Sequence, residues 1–151
     1  MSTDIFVNLS TTDLGRAKAF YEALGWSINP LFTDDNAACV VIDEHVYFMV
    51  LTREYFTTFT DKQIVDPHTQ TQASIAFSRP SREAVDEILQ KGLDAGGREL
   101  REAQDYGFMY SRDLQDPDGN DLSFLYMEPK AAEQGPEAYL AEQAPQAPAS
   151  A

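Results

Sequence analysis

The segment Val7-Asn-Leu-Ser-Thr-Thr-Asp-Leu-Gly-Arg-Ala-Lys-Ala-Phe-Tyr-Glu-Ala-Leu-Gly-Trp26 constrains the fold more than any other part of the chain. Residues 4–10 alternate around Ile5, Val7 and Leu9, the period of a half-buried strand. Asp13 follows, and its carboxylate can accept the free N–H groups of a first helical turn. Leu14, Ala17, Phe20, Tyr21 and Leu24 then recur at helical spacing, and Gly25 stands where a helix stops. The segment therefore predicts a strand that runs directly into a capped amphipathic helix.

Three short strands are expected next, at about 27–32, 37–42 and 45–52, with turns at Asp34-Asp35-Asn36 and Asp43-Glu44. Residues 53–71 have weak periodicity and contain Pro67; they read as a linker with room for one helical turn. The pattern restarts with a strand at Ala73-Ser-Ile-Ala-Phe77. Ser81 caps a helix to about Ala95 that carries Val85, Ile88, Leu89 and Leu93 on one face, and Gly96-Gly97 ends it. Strands near 98–102, 108–114 and 121–127 complete the set, the last two joined by the turn Asp116-Pro-Asp-Gly-Asn120. The order is βαβββ, linker, βαβββ, an α+β class with one domain over 1–128, its modules at about 4–52 and 72–128. From Pro129 the composition shifts to Ala, Gln, Glu and Pro. The tail 129–151 reads as disordered, with a short helix over 137–143.

At 151 residues the chain suits one domain, and an apolar content of 43% suits a globular one. No apolar run approaches the roughly 18 residues of a membrane span. The start Met-Ser-Thr-Asp lacks the basic and apolar regions of a signal peptide. A single cysteine, Cys39, excludes an intrachain disulfide and lies in an apolar strand, where core packing is its expected role. A cytoplasmic location is the expectation. The net charge of −14 repels a phosphate backbone, so nucleic acid is not an expected partner, and without a long apolar run neither is a membrane.

The opening segment, the restart at Ser74–Phe77 followed by Glu83–Leu89, and the turn 116–120 together resemble the vicinal oxygen chelate superfamily, the glyoxalase and bleomycin-resistance proteins. The stretch Asp105-Tyr-Gly-Phe-Met-Tyr-Ser-Arg112, with Leu51-Thr-Arg-Glu-Tyr-Phe56, is similar to a subgroup known as predicted lactoylglutathione lyases. The resemblance implies two βαβββ modules forming a glyoxalase-like open barrel with a cleft, and a homodimer. Most enzymes of that superfamily hold a metal on inward residues of the first and last strands of each module. The corresponding positions here are Phe6, Tyr47, Ser74 and Ser123. Phenyl cannot ligate and serine hydroxyls are weak neutral donors, so no cofactor is expected and a divalent metal does not suit the family position. His45 and His68, the only histidines, read as surface or turn residues.

Such a cleft is apolar with a few hydroxyls, which suits a small organic molecule. Asn8 and Asp121 should share the cleft face with Phe6 and Ser123. Tyr110 and Arg112 alternate along one strand and are compatible with either face; Arg112 would suit an anionic ligand or an ion pair. The expected ligand-binding set is thus Phe6, Asn8, Tyr47, Ser74, Tyr110, Arg112, Asp121 and Ser123. The alternative is a lyase or isomerase of glyoxalase type, similar to lactoylglutathione lyase, whose acid–base groups have moved to Tyr47, Asp105, Tyr110 or Asp121. A purely interactive role for the tail is the third reading.

Overall fold

The computed structural model describes residues 1–145. The first module contains β1 (Ile5–Thr11), α1 (Leu14–Ala23), β2 (Ser27–Asn29), β3 (Ala37–Asp43) and β4 (Val46–Thr52). Its sheet runs β1-β4-β3-β2, with β1 parallel to β4 and the other pairs antiparallel. The linker holds α2 (Arg53–Phe56) and a 3-10 turn, Thr57–Phe59. The second module contains β5 (Ser74–Ser78), α3 (Arg82–Asp94), β6 (Arg98–Glu99), β7 (Gln104–Asp105), β8 (Met109–Gln115) and β9 (Asp121–Met127). It repeats the layout as β5-β9-β8-β6, with β7 also on β8. Both sheets are open. No described helix is long and apolar enough to cross a membrane.

Local chemistry sets the boundaries. Asp13 accepts the Arg16 N–H at 3.0 Å and Ser81 accepts that of Ala84 at 3.0 Å, so both module helices start at a side-chain cap. Gly25 follows α1 with φ +99°, a conformation that favours glycine. Two expected strands are shorter than read. The strand over 27–32 stops at Asn29, because Pro30 has no N–H for the sheet and begins a 3-10 turn capped by Asn29. The strand near 98–102 shortens to β6 (Arg98–Glu99), and β7 (Gln104–Asp105) is a further short strand that the reading did not include.

The tail departs further from its reading. Residues 129–143 form α4 (Pro129–Gln134) and α5 (Pro136–Gln143), with Ala131 buried. Pro129 and Pro136 each sit in the first turn of their helices, where proline is tolerated because its missing N–H has no partner to lose. Residues 146–151 of the expected tail lie outside the described residues.

Each helix covers one face of its sheet, and the two covered faces meet. Phe20, Tyr21 and Leu24 of α1 join Val40, Phe48 and Val50, and this cluster is continuous with Val85, Ile88, Leu89, Leu114, Leu122 and Phe124 of the second module. Phe48 is fully buried against the rings of Tyr21, Trp26 and Phe77. Removing such a ring costs about 3–5 kcal/mol. The remaining face of each sheet points away from the shared core and carries no module helix; on the first sheet this open face is exposed at Phe6 but buried at Ser10 and Leu51.

A polar join supplements this core. The turn between β8 and β9 reaches back to the start of α1. The Asp118 carboxylate accepts bonds from the Thr11 hydroxyl (2.6 Å), the Thr12 N–H (3.0 Å) and the Arg16 guanidinium (2.7 Å). Asp116, 3% exposed, accepts from the Tyr21 hydroxyl and from the Asn120 side chain, whose amide also donates to the Ser10 carbonyl. Burial raises the Asp116 carboxyl above its usual range and, together with the nearby Asp116 charge, pushes the Tyr21 phenol well up.

Candidate functional site

Strand register assigns each expected residue to a face. Phe6 pairs with Tyr47, Asn8 with Met49 and Ser10 with Leu51, so these six share the open face of the first sheet. Phe6 and Tyr47 stack with ring centroids 4.8 Å apart, and Phe6 is 53% exposed. The Tyr47 hydroxyl donates to the Glu44 carbonyl at 2.9 Å. On the second sheet Ser74 pairs with Asp121, and Ala76 with Ser123, so Ser74, Asp121 and Ser123 share that sheet's open face.

Tyr110 and Arg112 lie on the opposite face of β8, toward α3, and are set aside as cleft residues. The Tyr110 hydroxyl donates to Asp86 at 2.6 Å. The Arg112 guanidinium donates to Asp86 at 3.0 Å and to Glu99 at 2.7 Å. Its charge is consumed by two carboxylates, which hold its own titration far above the accessible range. Burial raises the Tyr110 phenol above its usual value and keeps it neutral, which makes it a poor base. Asp105 is exposed; it accepts the Gly107 N–H at 2.9 Å and the Arg82 guanidinium at 2.8 Å, and these contacts, the Gly107 bond first, lower its carboxyl. Neither residue meets the open faces. His45 bonds Asp4 at 2.6 Å, and His68 is exposed. Among the described residues, no three His, Cys, Asp or Glu side chains converge as a metal site would require.

Two hollows adjoin the open faces. One, of about 470 Å³, lies on the first sheet and is lined by Asn8, Ala37, Met49 and Leu51, with Tyr55, Phe32 and Phe59 around it. The other, of about 140 Å³, is more enclosed and lies at the seam where β1 faces the second module; Asn8, Ile75, Asn120 and Asp121 line it together with the linker's Ile64, Val65, Gln70 and Thr71. Asn8 belongs to both. Arg53 holds the linker over the seam by donating to the carbonyls of Val65 (2.8 Å) and Ile64 (2.9 Å). The Asp121 carboxylate accepts the Thr71 hydroxyl at 3.0 Å and has no ion pair among the described residues. Sequence reasoning missed Met49, Leu51, Tyr55 and the linker contribution. For the first two the signal was present, since they follow Tyr47 at the strand period of two.

Comparisons place this arrangement. The model of the bleomycin resistance protein-like N-terminal family matches residues 4–43. No curated protein matches the chain. Among solved structures, a hypothetical protein from S. aureus is similar at 23% identity with a TM-score of 0.71, over 83% of this chain and 94% of that one. A glyoxalase/bleomycin resistance protein/dioxygenase family enzyme from Burkholderia phytofirmans PsJN is similar at 16% identity and TM-score 0.70, over 84% of this chain and 100% of that one. The chain has the vicinal oxygen chelate fold. A glyoxalase-related enzyme from Fulvimarina pelagi shares this fold at 17% identity and TM-score 0.70, over 83% of this chain and 88% of that one.

Proposed function

We propose that the chain binds a small organic molecule, without a metal, in the hollow of the first open face and the seam cavity that joins it at Asn8. The observation that carries this reading is the lining of the two spaces. Met49, Leu51, Tyr55 and Phe59 supply apolar contact, while Asn8, Asn120 and Asp121 supply a few polar groups for orientation. No Arg, Lys or His lines either space among the described residues, so a neutral or cationic molecule fits better than an anion. The donor set Phe6, Tyr47, Ser74 and Ser123 does not fit a divalent metal.

A homodimer in the cytoplasm completes the proposal. Phe6, Leu31, Phe32 and Phe59 are 53%, 86%, 67% and 62% exposed and leave the first open face apolar, which a second copy would cover. The competing reading, a lyase or isomerase of glyoxalase type, rests on Asp121, the one of its four acid–base candidates that lines either of these two spaces.

Native mass spectrometry of the gently purified chain tests the proposal. Dimers carrying an organic adduct are expected, and Met49→Trp, which fills the hollow, should remove the adduct. Stoichiometric divalent metal whose removal releases the adduct would refute it. Turnover of a glyoxalase-type substrate that Asp121→Asn abolishes would establish the competing reading.

A further inference from the structure

The modules also meet at the other end of the seam, and there they leave a cavity of about 380 Å³. Its wall is aromatic: Phe77 lies 5.3 Å from Trp26, 5.6 Å from Phe48 and 5.7 Å from Phe124, centroid to centroid. Arg79 and Asp43 also line it. The Arg79 Nε is buried and has no hydrogen-bond partner among the described residues. Asp43 makes no ion pair with it. By contrast Arg16, Arg82, Arg101 and Arg112 each pair with a carboxylate. In a chain with 25 acidic and 11 basic residues, a guanidinium with a buried, unmatched donor needs an explanation.

We infer that this cavity binds a small amphipathic anion whose carboxylate pairs with Arg79 while its apolar part lies against the partly exposed rings of Trp26 and Phe77. Guanidinium and carboxylate match as planar, two-pronged partners, and the adjoining Trp26 and Phe77 rings give the tail apolar contact. The site shares no residue with the first-sheet hollow and only Val7 and Ile75 with the seam cavity, and it stands whether or not the proposed function does.

Trp26 is the only tryptophan and stands in the wall, so its emission reports occupancy. The full chain would be titrated with octanoate, octanol and octylammonium, which share a tail and differ in head charge. Octanoate should shift the Trp26 emission and bind about tenfold tighter than octanol, and octylammonium should bind weakest. Arg79→Gln should reduce octanoate to the level of octanol, while Arg98→Gln, an exposed arginine elsewhere, should leave it unchanged. Equal binding of octanoate and octylammonium by the wild type overturns the inference even if Arg79→Gln fails to fold. Loss of dimers in Arg79→Gln without octanoate binding by the wild type also overturns it, and makes a second copy of the chain the occupant.

Discussion

Replacing Asp118 by alanine is expected to loosen the two modules from one another. The residue is only 6% exposed, and its partners Thr11, Thr12 and Arg16 all belong to the first module. Alanine leaves the Thr12 N–H without an acceptor and the Thr11 hydroxyl with only the Asp13 carbonyl, 3.0 Å away. Each lost bond to a charged acceptor is worth about 1.5–3 kcal/mol. Arg16 contributes less, since its side chain is 43% exposed and water can replace the carboxylate. A total near 3–4 kcal/mol follows, a large share of the roughly 5–15 kcal/mol that holds a domain folded. At about 2–4 °C per kcal/mol for a chain of this size, the melting temperature should fall by roughly 10 °C. Asp118→Asn keeps the shape and one acceptor oxygen, so about 1–2 kcal/mol is expected. Asp94→Ala, an exposed carboxylate on α3, should change stability by less than about 0.5 kcal/mol. Urea unfolding of the three variants, with a thermal melt of each, decides the matter. An Asp118→Ala loss below about 1 kcal/mol, or one no larger than that of Asp94→Ala, would refute the claim that this carboxylate joins the modules.

Further outcomes are open to the same measurements. Gly25 and Gly119 both have positive φ, at +99° and +97°, but a Cβ on Gly25 meets nothing within 4 Å whereas one on Gly119 comes 2.5 Å from the His68 nitrogen. Gly25→Ala should therefore cost about 1 kcal/mol, and Gly119→Ala at least about 2 kcal/mol more; equal costs in urea titrations would show that the linker does not press on the turn. Tyr21→Phe removes the hydroxyl that bonds buried Asp116 and should cost about 1–3 kcal/mol; an unchanged melting temperature would mean that the bond is dispensable. The Asp86 carboxyl is lowered first by the Tyr110 hydroxyl and then by Arg112. A lowered folded value gives stability that is present above the unfolded value near pH 3.9 and is lost as pH falls through the folded one. Tyr110→Phe should thus be less stable than wild type at pH 6, by under about 1 kcal/mol because Asp86 is half exposed. The gap should close near pH 2; a gap that persists there would assign the effect to packing instead.

How much of this was legible depended on how local the deciding interaction was. The opening unit was readable because its signals are neighbours: Asp13 bonds the N–H three residues on, and Gly25 follows the last turn of α1 directly. The placement of Asn8 and Asp121 on the open faces was readable because Ile5, Val7 and Leu9, and Leu122 and Phe124, alternate clearly and fix the faces of β1 and β9. Along β8 the run Tyr110-Ser-Arg-Asp113 is polar on both faces, so no alternation set the register of Tyr110 and Arg112. Asp86 and Glu99, distant in sequence, decide it. The turn 116–120 was readable as a turn but not as a buried join, since the Thr11 partner of Asp118 lies 107 residues away. The helix expected over 137–143 is α5, which begins one residue earlier at Pro136, after Gly135; α4 was not legible in the Ala- and Glu-rich stretch before it.

The two modules share a layout but not a surface, and this bears on what the site can hold. Equivalent positions carry Phe6 and Ser74 on the opening strands, and Tyr47 and Ser123 on the closing ones. A metal held between the modules needs donor side chains at these four positions, and Phe6 offers none while the two serine hydroxyls are weak. An apolar face and a hydroxyl-bearing face instead favour a molecule that is itself two-sided. The seam cavity lies between them, and Asn120, which lines it, is held to the Ser10 carbonyl by the same turn that Asp118 anchors. The geometry of the site therefore depends on that anchor. If so, Asp118→Ala should weaken ligand binding well below its own melting temperature, because a folded chain with a loosened turn no longer holds Asn120 and Asp121 against Asn8. Binding that stays at the wild-type level until the variant unfolds would mean that the seam cavity takes no part in recognition, and would confine the ligand to the hollow on the first sheet.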